Sequence, residues 1–478
     1  MGEVLKNYIN GHWEMGVTTG TSENPSDLAA PVADYARADA RQAEAALEAA
    51  SEAFASWAGA TPQRRADVLD FVGNELLSRR DELGSLLARE EGKTLPEAVA
   101  EVARAGHIFK FFAGEALRTP GEKLASVRPD IEVDITREPV GVVAVIAPWN
   151  FPFAIPAWKI APALAYGNTV VFKPAELVPA CGWALAEILS RAGLPAGVFN
   201  LVNGSGRQVG RVLVENRLAD AITFTGSETT GKQVLQQAAA RGAKVQLEMG
   251  GKNPLVVLAD ADLDRAVDCA LQGAFYSTGQ RCTASSRLIV DAKVHDTFLT
   301  RLRKRTRALQ VGHAEERGTD IGPVASRAQL DTNLSYIEVA RTEGAEHICG
   351  GEVLERPTRG HFMSPALFLA TPEQRIAREE IFGPIAVVLR ADDYEHALAL
   401  ANDTPYGLCA GICTTSLKRA MHFRRNAQAG MVMTNLPTAG VDYHVPFGGR
   451  KASSFGPREQ GRQAAEFFTT MKTAYTCA

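Results

Sequence analysis

Three regimes of hydrophobic patterning divide the chain of 478 residues. From about residue 38 to 118 Ala, Glu and Arg dominate, and apolar positions recur at helical spacing with breaks near Thr61-Pro62 and Gly92. From Ile131 to about Leu258 short apolar runs alternate with helical stretches, which predicts a parallel sheet. Residues 259–450 repeat that alternation and predict a second α/β unit. Within it Leu263, Ala266, Val267, Ala270, Leu271, Ala274 and Phe275 share one helical face. That helix is expected to stop at Gly279, delivering Cys282 just past its end. No internal repeat, low-complexity stretch or long linker intervenes. A chain this long predicts two large domains rather than one core.

The ends of the predicted strands carry candidate chemistry. Gly141-Val-Val-Ala-Val-Ile146, bounded by Pro139 and Pro148, reads as a buried strand running into Ala147-Pro-Trp-Asn-Phe-Pro152. Pro148 and Pro152 stiffen that loop, so the Asn150 amide can donate to a developing oxyanion with little reorganisation. An Asn favoured in a turn for its local hydrogen bonds explains the same segment equally well. Asn168-Thr-Val-Val-Phe-Lys-Pro-Ala-Glu176 is a second such strand, and strand ends of α/β sheets are where nucleotides sit. Lys173 can donate to ribose hydroxyls and Glu176 can accept from them, although a solvated pair beside a turn reads as well. In Ala221-Ile-Thr-Phe-Thr-Gly-Ser-Glu-Thr-Thr-Gly231 a strand meets Gly226 and Ser227 before a helix, whose free N–H groups suit a phosphate. This is not the GxGxxG fingerprint, and alone it is a weak signal.

Two further residues suggest covalent catalysis. Cys282 lies in Tyr276-Ser-Thr-Gly-Gln-Arg-Cys-Thr-Ala-Ser285, and Glu248 in Leu247-Glu-Met-Gly-Gly-Lys-Asn-Pro254. A thiolate can attack carbon while a carboxylate activates first the thiol and then a water. Taken singly, a buried structural cysteine and a solvated glutamate explain them better. The five segments together do not fit that bland reading.

Together these segments closely resemble the aldehyde dehydrogenase superfamily, from about Tyr8-Ile-Asn-Gly-His-Trp13 to the C-terminus. Glu379-Glu-Ile-Phe-Gly-Pro384, Asn402-Asp-Thr-Pro-Tyr-Gly-Leu408 and Pro446-Phe-Gly-Gly-Arg-Lys451 extend the match. The resemblance implies an α/β fold of two Rossmann-like parallel-sheet domains and a small β oligomerisation flap. It puts the NAD-binding domain at 1–123 and 145–250, the catalytic domain at 251–452 and the flap at 124–144 and 453–478. By the same carry-over Cys282 is the nucleophile and Glu248 the general base. Asn150 and the Cys282 N–H form the oxyanion hole, and Glu459 assists proton relay. Trp149, Lys173, Glu176, Ser227, Glu380 and Phe382 contact NAD, with Ile146, Pro148, Gly226 and Gly231 around them. A homodimer or homotetramer is implied. Glu248 argues for hydrolysis, since members that pass the acyl group to coenzyme A typically lack that carboxylate. Glu176 would repel a 2′-phosphate, which favours NAD while still admitting NADP through Lys173.

Composition sets limits. A net charge of −4 and a pI near 6.2 give no basic footprint for nucleic acid, and no apolar run approaches a membrane span. Met1-Gly-Glu-Val-Leu-Lys-Asn7 lacks a signal-peptide core, and Lys6 breaks the myristoylation pattern. Cys477 lies too near the end for prenylation. The seven scattered cysteines match neither a disulfide framework nor a metal site, so reduced thiols in a cytoplasm are expected.

Substrate is read from local similarity. Trp158-Lys-Ile-Ala-Pro162 and the segments around Glu248 and Cys282 are similar to the branch that oxidises 2-oxoglutarate semialdehyde (2,5-dioxopentanoate). Arg281 would pair with the carboxylate of such a substrate, a packing role being the alternative, and Phe151, Trp158 and Phe447 would line the tunnel. Succinate semialdehyde is less favoured, because its branch usually shows Arg where Trp158 stands. Sulfolactaldehyde, aromatic and aliphatic aldehydes remain alternatives. A non-catalytic, crystallin-like use of the fold is disfavoured by the presence of Cys282, Glu248 and Asn150.

Overall fold

The computed structural model describes residues 3–119 and 121–477. Its first sheet runs, edge to edge, His12–Glu14, Asn7–Ile9, Phe199–Leu201, Thr169–Lys173, Val142–Ile146, Ala221–Thr225, Lys244–Glu248 and Ser454–Phe455. The five strands from Phe199–Leu201 to Lys244–Glu248 are parallel. They wind outwards in both directions from Val142–Ile146, so the topological switch lies between that strand and Ala221–Thr225, as the Rossmann-like expectation requires. Register keeps the strand ends level: Ile146 pairs with Lys173 and Phe224, and Thr225 with Glu248.

Both faces of this sheet are covered, which is why its strands are apolar throughout rather than alternating. Val143, Val145, Val170 and Phe172 pack on one side with the helices Pro62–Ser78, Leu95–Ala116 and Ala154–Ala165. Val142, Ala144, Val171 and Ile222 face the other way, towards Ala40–Ala58 and Glu228–Ala239. The second sheet runs Glu346–Cys349, Ala366–Leu369, Ile385–Ala391, Arg287–Asp291, Pro254–Val257, Cys409–Cys413 and Met431–Thr434. All its pairings are parallel except that of Glu346–Cys349.

The Ala/Glu/Arg-rich region forms four helices. Asp39 and Thr61 cap two of them by accepting from Gln42 N and Arg64 N, and Gly92 ends the third at φ 93°. The break at Arg79 carries no Pro or Gly, and the pattern did not reveal it. The helix leading to Cys282 ends at Phe275, not Gly279. Ser277 and Thr278 take left-handed φ values of 51° and 57° and turn the chain in a tight loop.

The flap is a three-stranded antiparallel sheet of Glu122–Ala125, Ile131–Pro139 and Thr469–Cys477. Its strands run over 122–139 and 469–477, against the 124–144 and 453–478 that the resemblance implied. Val142–Ile146 and Ser454–Phe455 hydrogen-bond into the first sheet instead. Asn168 joins flap to sheet, accepting from Val140 N (2.7 Å) and Gly141 N (3.0 Å) and donating to Phe468 O (2.9 Å). Replacing Asn168 with Ala strips these buried groups of their partner, and urea unfolding should show a loss of about 3 kcal/mol.

Candidate active site

Level strand ends bring the four sequence-identified segments to one edge of the first sheet, where the second sheet's loops meet them. Cys282 follows the left-handed turn and is held by its backbone. Asn253 donates to Cys282 O at 2.8 Å and Ala284 O at 3.0 Å while accepting from Cys409 N, so one buried amide ties the loop to the second sheet. Gly279 lies against Gly383, where a Cβ would stand 2.2 Å from the carbonyl oxygen. No side chain fits there.

The Asn150 loop is anchored by a pair that the sequence reading missed. Lys93 donates to Glu101 (2.6 Å) and to Asn150 O (2.7 Å), and it sits 3.8 Å over the Phe151 ring. Glu101 spends its other oxygen on Phe153 N and Ala154 N, at the start of the next helix. Both side chains are only 1% exposed, so each charge depends on the other. The Asn150 amide reaches across to Gln280 O at 3.0 Å, which sets an N–H donor beside the Cys282 loop.

Glu248 is buried at the end of its strand and accepts from Ser454 Oγ at 2.6 Å. Among the described residues no hydrogen bond joins it to Cys282. Burial, reinforced by the neighbouring Glu459, pushes its carboxyl well above the ordinary range. Glu459 is ion-paired with Lys159, which also donates to Thr223 Oγ1 at 2.8 Å. Lys159 was overlooked in the sequence. Its signal is a lone cation in the otherwise uncharged helix Ala154–Ala165. Burial, with Glu248, Glu380 and Glu459 nearby, raises the Cys282 thiol to about 12. At rest Cys282 is therefore a thiol that must be activated before it can attack.

The proposed cofactor residues ring the same edge. Lys173 is 5% exposed, pushed down to about 8 by burial, and donates to Pro174 O. Glu176 is exposed beside it, and Ser227 starts the helix Glu228–Ala239 with Gly226 before it and Gly231 buried in its second turn. Ile146, Pro148 and Trp149 are half-buried at the switch point, and Trp149 meets Phe382 edge-on at 5.4 Å between ring centroids. A buried cation with a single carbonyl partner, an acidic neighbour and an open helix start fit a dinucleotide. Glu380 differs from expectation in that it folds back to accept from Gly251 N at 2.8 Å.

A cavity of about 490 Å³ opens over Cys282, lined by Phe151, Trp158 and Phe447 as expected, the last two stacked at 5.1 Å. Arg281 also lines it, but its charge is already taken. Its Nη2 donates to Glu97 Oε1 at 2.7 Å and to Ser277 Oγ at 2.8 Å. Arg281 thus braces the Cys282 loop through Glu97 and Ser277, the packing role that stood as its alternative. Arg104, which the sequence reading passed over, reaches the same cavity.

The fold and the open strand-end edge beside Lys173 and Ser227 suit a nucleotide-dependent dehydrogenase, and comparison with known proteins agrees. The profile of the Aldehyde dehydrogenase family matches residues 13–474, and the chain belongs to that family. It is an oxidoreductase that converts an aldehyde to a carboxylic acid with NAD(P). Alpha-ketoglutaric semialdehyde dehydrogenase of Bacillus subtilis (strain 168) is 45% identical, covering 98% of this chain and 97% of that protein. The 2,5-dioxopentanoate dehydrogenase of Saccharolobus solfataricus is 39% identical, covering 95% of each. Betaine aldehyde dehydrogenase of Staphylococcus aureus, solved in complex with NAD+, superposes with a TM-score of 0.97 at 34% identity, covering 99% of this chain and 95% of that one.

The raised thiol has a measurable consequence. Because only the thiolate alkylates, iodoacetamide labelling of the Cys282 peptide in the cofactor-free protein should be slow at pH 7 and rise about tenfold per pH unit. A plateau below pH 8, read by mass spectrometry, would contradict the proton assignment.

Proposed function

We propose that the chain oxidises a short aldehyde bearing a carboxylate, 2-oxoglutarate semialdehyde first, through an acyl-enzyme on Cys282. What carries the substrate class is end-to-end likeness to relatives named for that aldehyde. Cys282 Sγ attacks the aldehyde carbon as its proton passes to Glu248, directly or through water. Asn150 Nδ2 and the Cys282 N–H receive the oxyanion of the thiohemiacetal. Bound NAD supplies the hydride acceptor, and loss of hydride from carbon leaves a thioester on Cys282. Glu248, once it has handed the thiol's proton on towards solvent, takes a proton from water, which attacks the thioester, and returns it to the departing Cys282 sulfur as the acid leaves. The Lys159–Glu459 pair, which acts electrostatically on Glu248, provides a second carboxylate for that proton.

Residues 1–123 and 145–250 are proposed to hold NAD, with Lys173 and Glu176 on the ribose, Ser227 at the phosphates and Trp149 and Phe382 beside the ring system. Glu380 joins them if it releases Gly251. Residues 251–452 carry the nucleophile. The flap exposes Leu124, Met471 and Tyr475, which supports assembly into a homodimer or homotetramer. Sedimentation equilibrium showing only monomer would refute that. Among the described residues no helix is long and apolar enough to cross a membrane. A cytoplasmic location, readable by cell fractionation, is part of the same proposal.

Replacing Glu248 with Gln removes the base for water, so intact-protein mass spectrometry after mixing with NAD and aldehyde should show an acyl adduct. Full steady-state turnover by that variant would refute the role. For the wild type, kcat/KM should be higher for 2-oxoglutarate semialdehyde than for hexanal or benzaldehyde, and higher with NAD than with NADP. Glu176→Ser should narrow the cofactor gap. The reverse order in either comparison overturns the corresponding assignment.

A further inference from the structure

Three cations line the cavity over Cys282, and they stand in different electrical states. Lys93 is paired with Glu101, and Arg281 with Glu97. Arg104 has no carboxylate in contact among the described residues. Its neighbour one helical turn back, Glu101, is fully engaged by Lys93, Phe153 N and Ala154 N. Arg104 Nη2 donates only to the neutral side chain of Gln460, at 3.2 Å, and its Nε is buried without a partner. The guanidinium lies 5.8 Å from the Trp158 ring centroid. Glu101 and Asp442 act on it from beyond contact, and Cys282 is also near enough for its charge to be felt. A half-buried guanidinium held by one neutral hydrogen bond, with donors to spare, is half of a bidentate ion pair.

We propose that Arg104 grips the distal carboxylate of the substrate and so sets the preference for acidic aldehydes. This rests on the acidic-semialdehyde reading above. Gln460 and Trp158 hold the head group while the terminal Nη N–H groups that Gln460 leaves free meet the acid. The aldehyde end, a few bonds away, is then directed to Cys282. A substrate carboxylate supplies the anion that the protein itself withholds from this arginine. A neutral aldehyde of the same length leaves it unpaired.

The test compares wild type, Arg104→Met, Arg104→Lys and Arg281→Met. Each is assayed with 2-oxoglutarate and succinate semialdehydes against pentanal and benzaldehyde, with thermal melting and NAD binding as checks of folding. The ratio of acidic to neutral kcat/KM should fall about 30- to 1000-fold in Arg104→Met, mainly through KM for the acidic substrates. Arg104→Lys should recover part of it, whereas Arg281→Met should lower both classes together. An unchanged ratio in Arg104→Met, or loss of the acidic preference in Arg281→Met alone, overturns the assignment to Arg104. A wild type without any acidic preference overturns the substrate reading itself. Failure of Arg104→Met to fold shifts the decision to the ratio in Arg104→Lys, which must fall between wild type and parity.

Discussion

The buried ion pair of Lys93 and Glu101 is the interaction on which the site depends. It joins the helix Leu95–Ala116, the Asn150 carbonyl and the first turn of Ala154–Ala165, segments that meet only in the folded chain. Two charges with 1% exposure persist only while each satisfies the other, so the pair permits one arrangement of these elements. Asn150, pinned at its carbonyl, can then present its amide to the Cys282 loop. The cost of burying the pair is offset by a donor that needs no reorganisation when an oxyanion forms.

The same low dielectric governs the protons. Excluding water strengthens every interaction with the developing charge, yet it also disfavours the charged forms of Cys282 and Glu248 before substrate arrives. Cys282 therefore keeps its proton until the aldehyde is attacked, and Glu248 can take that proton only in its unprotonated form. Lys159 restrains the accumulation of negative charge by pairing with Glu459, which otherwise stands near Glu248 without a counter-ion. Acid–base work becomes a matter of moving protons among neighbouring groups that burial has made harder to ionise.

Rigid register and adaptable side chains divide the labour. Parallel pairing of Ile146 with Lys173 and of Thr225 with Glu248 fixes the backbone edge against which nucleotide and base are set. Glu380, by contrast, spends its carboxylate on the turn at Gly251, and burial lifts it to about 7. Little charge is lost if it exchanges that amide for a hydroxyl.

The sequence by itself determined the local elements and the family to which the chain belongs. Short β-branched runs before Asn150 and Lys173, and the helical stripe before Cys282, are encoded within a few residues of one another. Strand-end placement follows from that spacing alone. What only the tertiary structure decided was the electrical state of each group. Arg281 is quenched by Glu97, 184 positions away, while Arg104 is left without an anion because Glu101 has turned to Lys93. The thiol's proton depends on burial and on carboxylates from distant segments. Even the flap's true edges depend on which strand Val142–Ile146 and Ser454–Phe455 find as partners. Secondary structure is set by near neighbours along the chain. Ionisation and pairing are set by whatever the fold brings within a few ångströms, and periodicity carries no record of that.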